Sequence, residues 1–193
     1  MTDRLWVVIP TRDDHPELLA ALVDGCGVPR ERIVLVNTGD HPVSRYRTRV
    51  VTDRGQVNIQ RWWNRGIDYA EAMGATHVAV LNDDVRLAPG SLARMMRALA
   101  DADATLAWAD SGRMTGWAWL LRLDRGVRPD ERFRWWYGDN DLHDRATVNG
   151  GVAYTPDSGV EHVHPNEATS ASPQLRALAE SDADTYRSRR GAR

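Results

Sequence analysis

Short apolar runs, each ending abruptly in a polar loop, most constrain what this chain can fold into. Residues 5–9 (LWVVI), 33–36 (IVLV) and 78–81 (VAVL) are continuous apolar stretches of strand length, and 50–51 (VV) is a weaker one. A run without polar alternation suits a strand buried on both faces. Between the runs the spacing turns helical. Leu18, Leu19, Leu22 and Val23 follow His15 and stop at Gly25 and Gly27. Residues 59–72 place Trp63, Ile67 and Ala70 on one face, and a further helix over 91–100 follows Pro89 and Gly90. Strand alternating with helix predicts an α/β fold around a mostly parallel sheet. Ligands gather at the carboxyl ends of the strands in such sheets. Those ends are the polar loops 10–14, 37–40 and 82–86.

At 193 residues the chain has room for one domain with a substantial core. A net charge of −2 supplies no global basic field for nucleic acid or an anionic membrane, although Arg45, Arg47, Arg49 and the C-terminal arginines cluster locally. Cys26 is the only cysteine, so an internal disulfide is excluded. Residues 1–10 lack the pattern of a signal peptide, and no window approaches the roughly 18 apolar residues of a spanning helix. A cytoplasmic location is expected.

Beyond residue 100 the texture changes: Trp108 is followed by Trp117, Trp119, Trp135 and Trp136, set among glycines and turn residues in 115–126 and 131–165. A short helix is expected over 141–148 and short strands over 152–154 and 160–163. An amphipathic helix is expected over 173–189, with Ser172 as N-cap and Pro173 first, frayed at its basic end YRSRRGAR.

Three groups of residues carry chemistry. Asn82-Asp83-Asp84 closes the fourth apolar run. Adjacent carboxylates repel, and a hard divalent cation relieves that repulsion while leaving positions open for phosphate oxygens. A solvated turn before a helix is the plain alternative. In WWYGDNDL, Asp139 and Asp141 follow a run of aromatics. A carboxylate desolvated by aromatic rings becomes a better proton acceptor, whereas a plain helix N-cap is the competing role. In GVEHVHP, His162 and His164 alternate, and in a strand they would share one face. Alternating histidines on an exposed strand also occur without a ligand.

Taken in order, these segments resemble the GT-A fold glycosyltransferases, most closely family 2 and its rhamnosyltransferase-like group. VVIPTRDDHPELLAAL resembles that family's opening strand, Pro-Thr loop and first helix, and IVLVNTGD its nucleoside loop. WWNRGIDYA matches the Asn-x-Gly-Ile helix at Asn64, Gly66 and Ile67. VAVLNDDVRLAPGSLARM matches the metal-binding Asp-x-Asp region in a Leu-Asn-x-Asp-Val variant. WWYGDNDLHDRA resembles the segment that carries the base, and VAYTPDSGVEHVH the closing segment with its metal-ligand histidine. The similarity covers about residues 4–165.

The resemblance implies one GT-A domain over 1–170, a Rossmann-like, mostly parallel sheet flanked by helices. Residues 1–100 would be the nucleotide-sugar half and 101–170 the acceptor and catalytic half, followed by the helix and tail of 171–193. It implies transfer of a sugar from a UDP-, GDP- or dTDP-sugar to an acceptor hydroxyl, with inversion and with help from Mn²⁺ or Mg²⁺. Pro10, Thr11, Arg12, Asn37, Asp53, Asn64, Asn82 and Asp83 would border the donor, and Asp84 and His162 would hold the metal. Asp139 would be the base. Trp135, Trp136, Asp141 and His164 are weaker candidates for sugar or acceptor contacts. The acceptor is left open among saccharide, protein, small molecule and a hydroxymethylated DNA base. A non-catalytic sugar-nucleotide module and a retaining transferase are the alternatives. This chain departs from the family at Gly138 (usually Glu), at Asn37-Thr38 (often acidic) and at Asn82, which replaces the first metal-binding acid.

Overall fold

A computed structural model describes residues 4–110, 116–165 and 167–191. Thr115, at the head of the Trp-rich segment, and the last two residues of the basic tail lie outside them. The first half alternates as expected: β1 (Leu5–Thr11), α1 (Pro16–Gly25), β2 (Ile33–Asn37), β3 (Arg49–Thr52), α2 (Ile59–Ala72) and β4 (His77–Leu81). Then come β5 (Val85–Leu87), α3 (Ser91–Asp101), β6 (Leu106–Trp108), β7 (Ala118–Arg122), α4 (Gly138–Val148), β8 (Val152–Tyr154), β9 (Val160–His162), α5 (Glu167–Ala171) and α6 (Pro173–Gly191).

Seven strands form one sheet in the order β3-β2-β1-β4-β7-β6-β8, and β5 pairs with β9 apart from it. β7 runs antiparallel to both neighbours, while all other pairs in the large sheet are parallel. The interiors of β1, β2, β4 and β7 are apolar because both faces are covered, whereas the edge strand β3 is largely exposed. Val7, Ile9, Ile33, Leu35, Ala79 and Leu81 point to the side of α1 and α3, where Leu19, Leu22, Met95 and Leu99 meet them. Trp6, Val8, Val34, Val36, Val78 and Val80 point the other way, onto Trp63 and Ile67 of α2 and Leu142 and Ala146 of α4. The single sheet thus serves two packed layers within one domain, and fully burying each of these aliphatic chains contributes about 1.5–3 kcal/mol. Gly66 lets α2 press against the sheet: a Cβ there would stand 2.2 Å from Val8 Cγ1.

The expected strands and helices of the first half are present, with β3 wider than its two valines suggested. β5, β6, β7 and α5 had no counterpart in the sequence expectations. The helix expected at 141 begins at Gly138, because Tyr137 turns the chain in a left-handed conformation (φ 61°) one residue earlier. The strand expected over 160–163 stops at His162. Ser172 does cap α6, its hydroxyl accepting from the Leu175 N–H at 3.3 Å. Residues 186–190, expected to fray, continue the helix: the Tyr186 hydroxyl donates to Asp144 at 2.9 Å, and Arg189 pairs with Asp130 and Asp141. Among the described residues no helix is long and apolar enough to cross a membrane.

Candidate active site

The loops after β1, β2 and β4 meet at one edge of the sheet. Thr11 is buried at the end of β1, and its hydroxyl donates to Asp83 Oδ2 at 2.7 Å. The same hydroxyl oxygen accepts from the backbone N–H of Asp13 at 2.8 Å. Asp13, buried and at φ 64°, is held in turn by Arg45 and by the Tyr46 hydroxyl at 2.6 Å. A chain of side chains therefore fixes the orientation of Asp83. Burial lifts the Asp83 carboxyl to about 6; the Thr11 hydrogen bond opposes the rise and the negative charge of Asp84 adds to it.

Asp84 is placed against His162 by the short β5–β9 pairing, in which Val85 stands opposite His162 and the Val163 N–H donates to the Asp84 carbonyl at 2.9 Å. Asp84 Oδ2 lies 3.0 Å from His162 Nε2, and Asp84 Oδ1 is buried without a hydrogen-bond partner. The His162 ring stacks on Trp117, with centroids 5.5 Å apart and planes 15° from parallel. Trp117 also accepts the Asn82 N–H on its carbonyl at 2.8 Å. A bare carboxylate oxygen next to an imidazole nitrogen is a donor set that fits a divalent cation. Nothing in the sequence marked Trp117 as the support of that imidazole, since its partner lies 45 residues along the chain.

Asp139 occupies the first turn of α4. Burial dominates its environment and lifts the carboxyl to about 6, even though the backbone N–H groups of Asn140, Asp139 itself and Gly116 donate to it. Gly116 is needed for that approach: a Cβ there would lie 2.8 Å from Asp139 Cβ and 3.2 Å from Trp63 Cη2. Gly138 has a similar cause. A Cβ at that position would meet Gln60 Cδ at 2.2 Å, and Gln60 is 1 % exposed with Oε1 unpartnered. The Gln60 amide thus fills the space that the expected glutamate would need.

The remaining candidates fall into two groups. Pro10, Asn37 and Asp53 stay at the strand ends, Pro10 opposite Val36 and the Asp53 N–H donating to the Asn37 carbonyl at 3.0 Å. Asn37 spends its amide on the turn, accepting from the Gly39 N–H at 3.2 Å and donating to the His41 carbonyl at 2.9 Å. Burial pushes the Asp53 carboxyl up, but the Gly55 N–H and a two-pronged contact from Arg61, both N–O distances 3.0 Å, outweigh it and lower the group overall. Arg12 is exposed beside Asp14.

Asn64, in contrast, directs its amide to the Pro129 carbonyl (3.1 Å) and Glu131 (2.9 Å), tying α2 to the loop before α4. Asp141 is 1 % exposed and is claimed by Arg145 and Arg189, each at 2.7 Å, so it is an internal anchor and has no surface for a sugar. Trp135 packs edge-on to Trp62 and donates to Thr169 at 2.7 Å, leaving Trp136 as the more exposed ring. Trp136 and Tyr137 border an open cavity of about 440 Å³ whose far side carries Arg176, Glu180, Asp184 and Arg187 of α6. His162 and His164 do not share a face, because the strand ends between them; His164 is exposed and stacks on His15.

No protein-family model and no curated protein matches this chain. Solved structures do resemble it. The crystal structure of S. aureus TarS superposes with a TM-score of 0.63 at 12 % identity, over 86 % of this chain and 38 % of that one. S. aureus TarS 1-349 superposes at 0.64 and 10 % identity, over 91 % and 65 %. The same segment in complex with UDP-GlcNAc superposes at 0.62 and 12 % identity, over 84 % and 61 %. This chain therefore spans between 38 and 65 % of the length of those structures. Identity this low speaks for architecture alone, and with the sheet order above it establishes that the chain has the GT-A fold.

Proposed function

We propose that this protein transfers a sugar from a nucleotide-diphosphate sugar to an acceptor hydroxyl, with inversion at the anomeric carbon. The observation that carries the proposal is the pairing of two sites on one GT-A sheet: Asp84 with His162 at the end of β4, and a desolvated Asp139 at the start of α4. The ordered family 2, rhamnosyltransferase-like motifs support the same activity, as does the resemblance to a structure containing UDP-GlcNAc.

Pro10, Thr11, Arg12, Asn37, Asp53, Asn82 and Asp83 would form the donor side. Asn37 and Asp53 would act there through the loop backbone they brace. Asp84 and His162 would hold Mn²⁺ or Mg²⁺, which when bound neutralises diphosphate charge as the leaving group departs. Asp139 would accept the proton of the acceptor hydroxyl as that oxygen attacks the face opposite the diphosphate. Its raised pKa suits the task, because a base is most useful when its pKa lies near the working pH. Trp136 and the groove behind it would receive the acceptor.

A donor screen tests the proposal. With Mn²⁺ present, one of the UDP-, GDP- or dTDP-sugars should raise the melting temperature, and the shift should shrink in chelator and in Asp84→Ala. No shift with any sugar nucleotide would sink the donor assignment. A shift indifferent to both chelator and Asp84→Ala would remove the metal from it. Binding with neither transfer nor donor hydrolysis would identify a binding module instead.

A further inference from the structure

We propose a second metal site on the surface, built for a transition-metal ion such as Zn²⁺ from His15, His164 and Glu167. Two segments supply them: His15 is the N-cap of α1, while His164 and Glu167 stand three residues apart between β9 and the start of α5. The two imidazoles stack with centroids 4.9 Å apart and planes 18° from parallel. Each turns a nitrogen towards one carboxylate oxygen, Glu167 Oε2 lying 3.9 Å from His15 Nε2 and 3.4 Å from His164 Nδ1. All three ligand atoms fall within 4.8 Å of one another. Ligands on a tetrahedral zinc ion stand about 3.3 Å apart, so rotations of three exposed side chains that part the stacked rings and turn their planes towards one point would close the set.

Two features favour a cation over a simple surface ion pair. An exposed His–Glu pair contributes little stability and needs only one imidazole. His15 also occupies a helix N-cap without making a capping hydrogen bond. Asparagine, aspartate or serine would serve that position better, so the imidazole is spent on its partners instead.

The donor set separates this site from the one at Asp84. Two imidazoles and a carboxylate favour Zn²⁺ and its neighbours over Mg²⁺. A bound ion would clip the segment after His162 to the loop carrying Arg12, and the site stands whether or not the chain transfers sugars.

Equilibrium dialysis against Zn²⁺ with metal quantitation tests it, in an Asp84→Ala background that removes the principal ligand of the other site. That variant should bind one Zn²⁺ per chain. Adding His164→Ala should weaken binding by more than the about 10- to 100-fold cost typical of losing an outer-sphere partner. Adding His15→Asn should do the same while preserving helix capping and fold, checked by circular dichroism. Absence of Zn²⁺ binding in Asp84→Ala, or binding unaltered by His15→Asn or His164→Ala, would overturn the proposal.

Discussion

The two halves of the site are built differently. Thr11, Asp83 and Asp84 lie at the ends of buried strands, and their positions follow from where apolar runs stop. Asp139 instead sits beyond a strap that has no regular structure between β7 and α4 apart from one short turn. What holds that strap is Asp182 of α6, 2 % exposed, whose carboxylate accepts backbone N–H bonds from Arg134, Trp135 (2.7 Å) and Trp136 (2.9 Å). One half is positioned by a sheet, and the other by side-chain ties to a strap, among them Asn64 of α2 and the buried Asp182 of the terminal helix. The donor half should therefore tolerate local change, while the base should be sensitive to changes in the terminal helix that anchors its strap.

The largest stability effect should arise at Asp182. Asp182→Ala strands three backbone donors, and charge-assisted bonds of this kind contribute about 1.5–3 kcal/mol each before compensation by water. A loss of about 3 kcal/mol in chemical denaturation is expected, with turnover falling further than donor affinity. Unchanged turnover in a destabilised protein would break the contrast between the halves.

Gly66→Ala comes next. Its Cβ would press on Val8 from 2.2 Å, so overpacking should cost about 1–3 kcal/mol, again read by denaturation. Thr11→Val is smaller. It removes the hydroxyl that holds Asp83, costing about 1 kcal/mol of donor affinity in calorimetric titration. Loss of turnover without loss of affinity would place Thr11 on the wrong side of the comparison.

The mildest perturbation is pH. Burial raises the Asp139 carboxyl to about 6, so the charged form that can accept a proton is scarce below that value and complete above it. Turnover should climb as pH rises from about 5 to about 7 and then level off. A profile flat across that window would remove the raised carboxyl from the rate.

Much of this arrangement was legible in the sequence. The buried runs, the helices between them and the polar strand ends follow from periodicity, because strands covered on both faces leave an uninterrupted apolar signal. The ordered motifs pointed to the GT-A fold. Other elements gave too little signal. β5 and β6 have three residues each, too few to show a period, and β7 (AWLLR) was masked by the tryptophans and turns around it. Asp182 looked like an ordinary polar residue on a helix, since its partners lie 46 to 48 residues away. Asp141 shows the reverse case: expected as a weak sugar or acceptor contact, it is held inside by two arginines that lie 4 and 48 residues along the chain. Gly138 has its cause 78 residues away, in Gln60, whose amide fills the space that a side chain at 138 would need.

The central claim is that Asp139 is the base of a sugar transfer. Its most direct test is the rate of nucleoside diphosphate release from the donor found by the screen, in wild type and Asp139→Asn, with donor affinity measured alongside. The account predicts equal affinity and a rate lower by about 10²- to 10⁴-fold in the variant. Equal rates at equal affinity would contradict it.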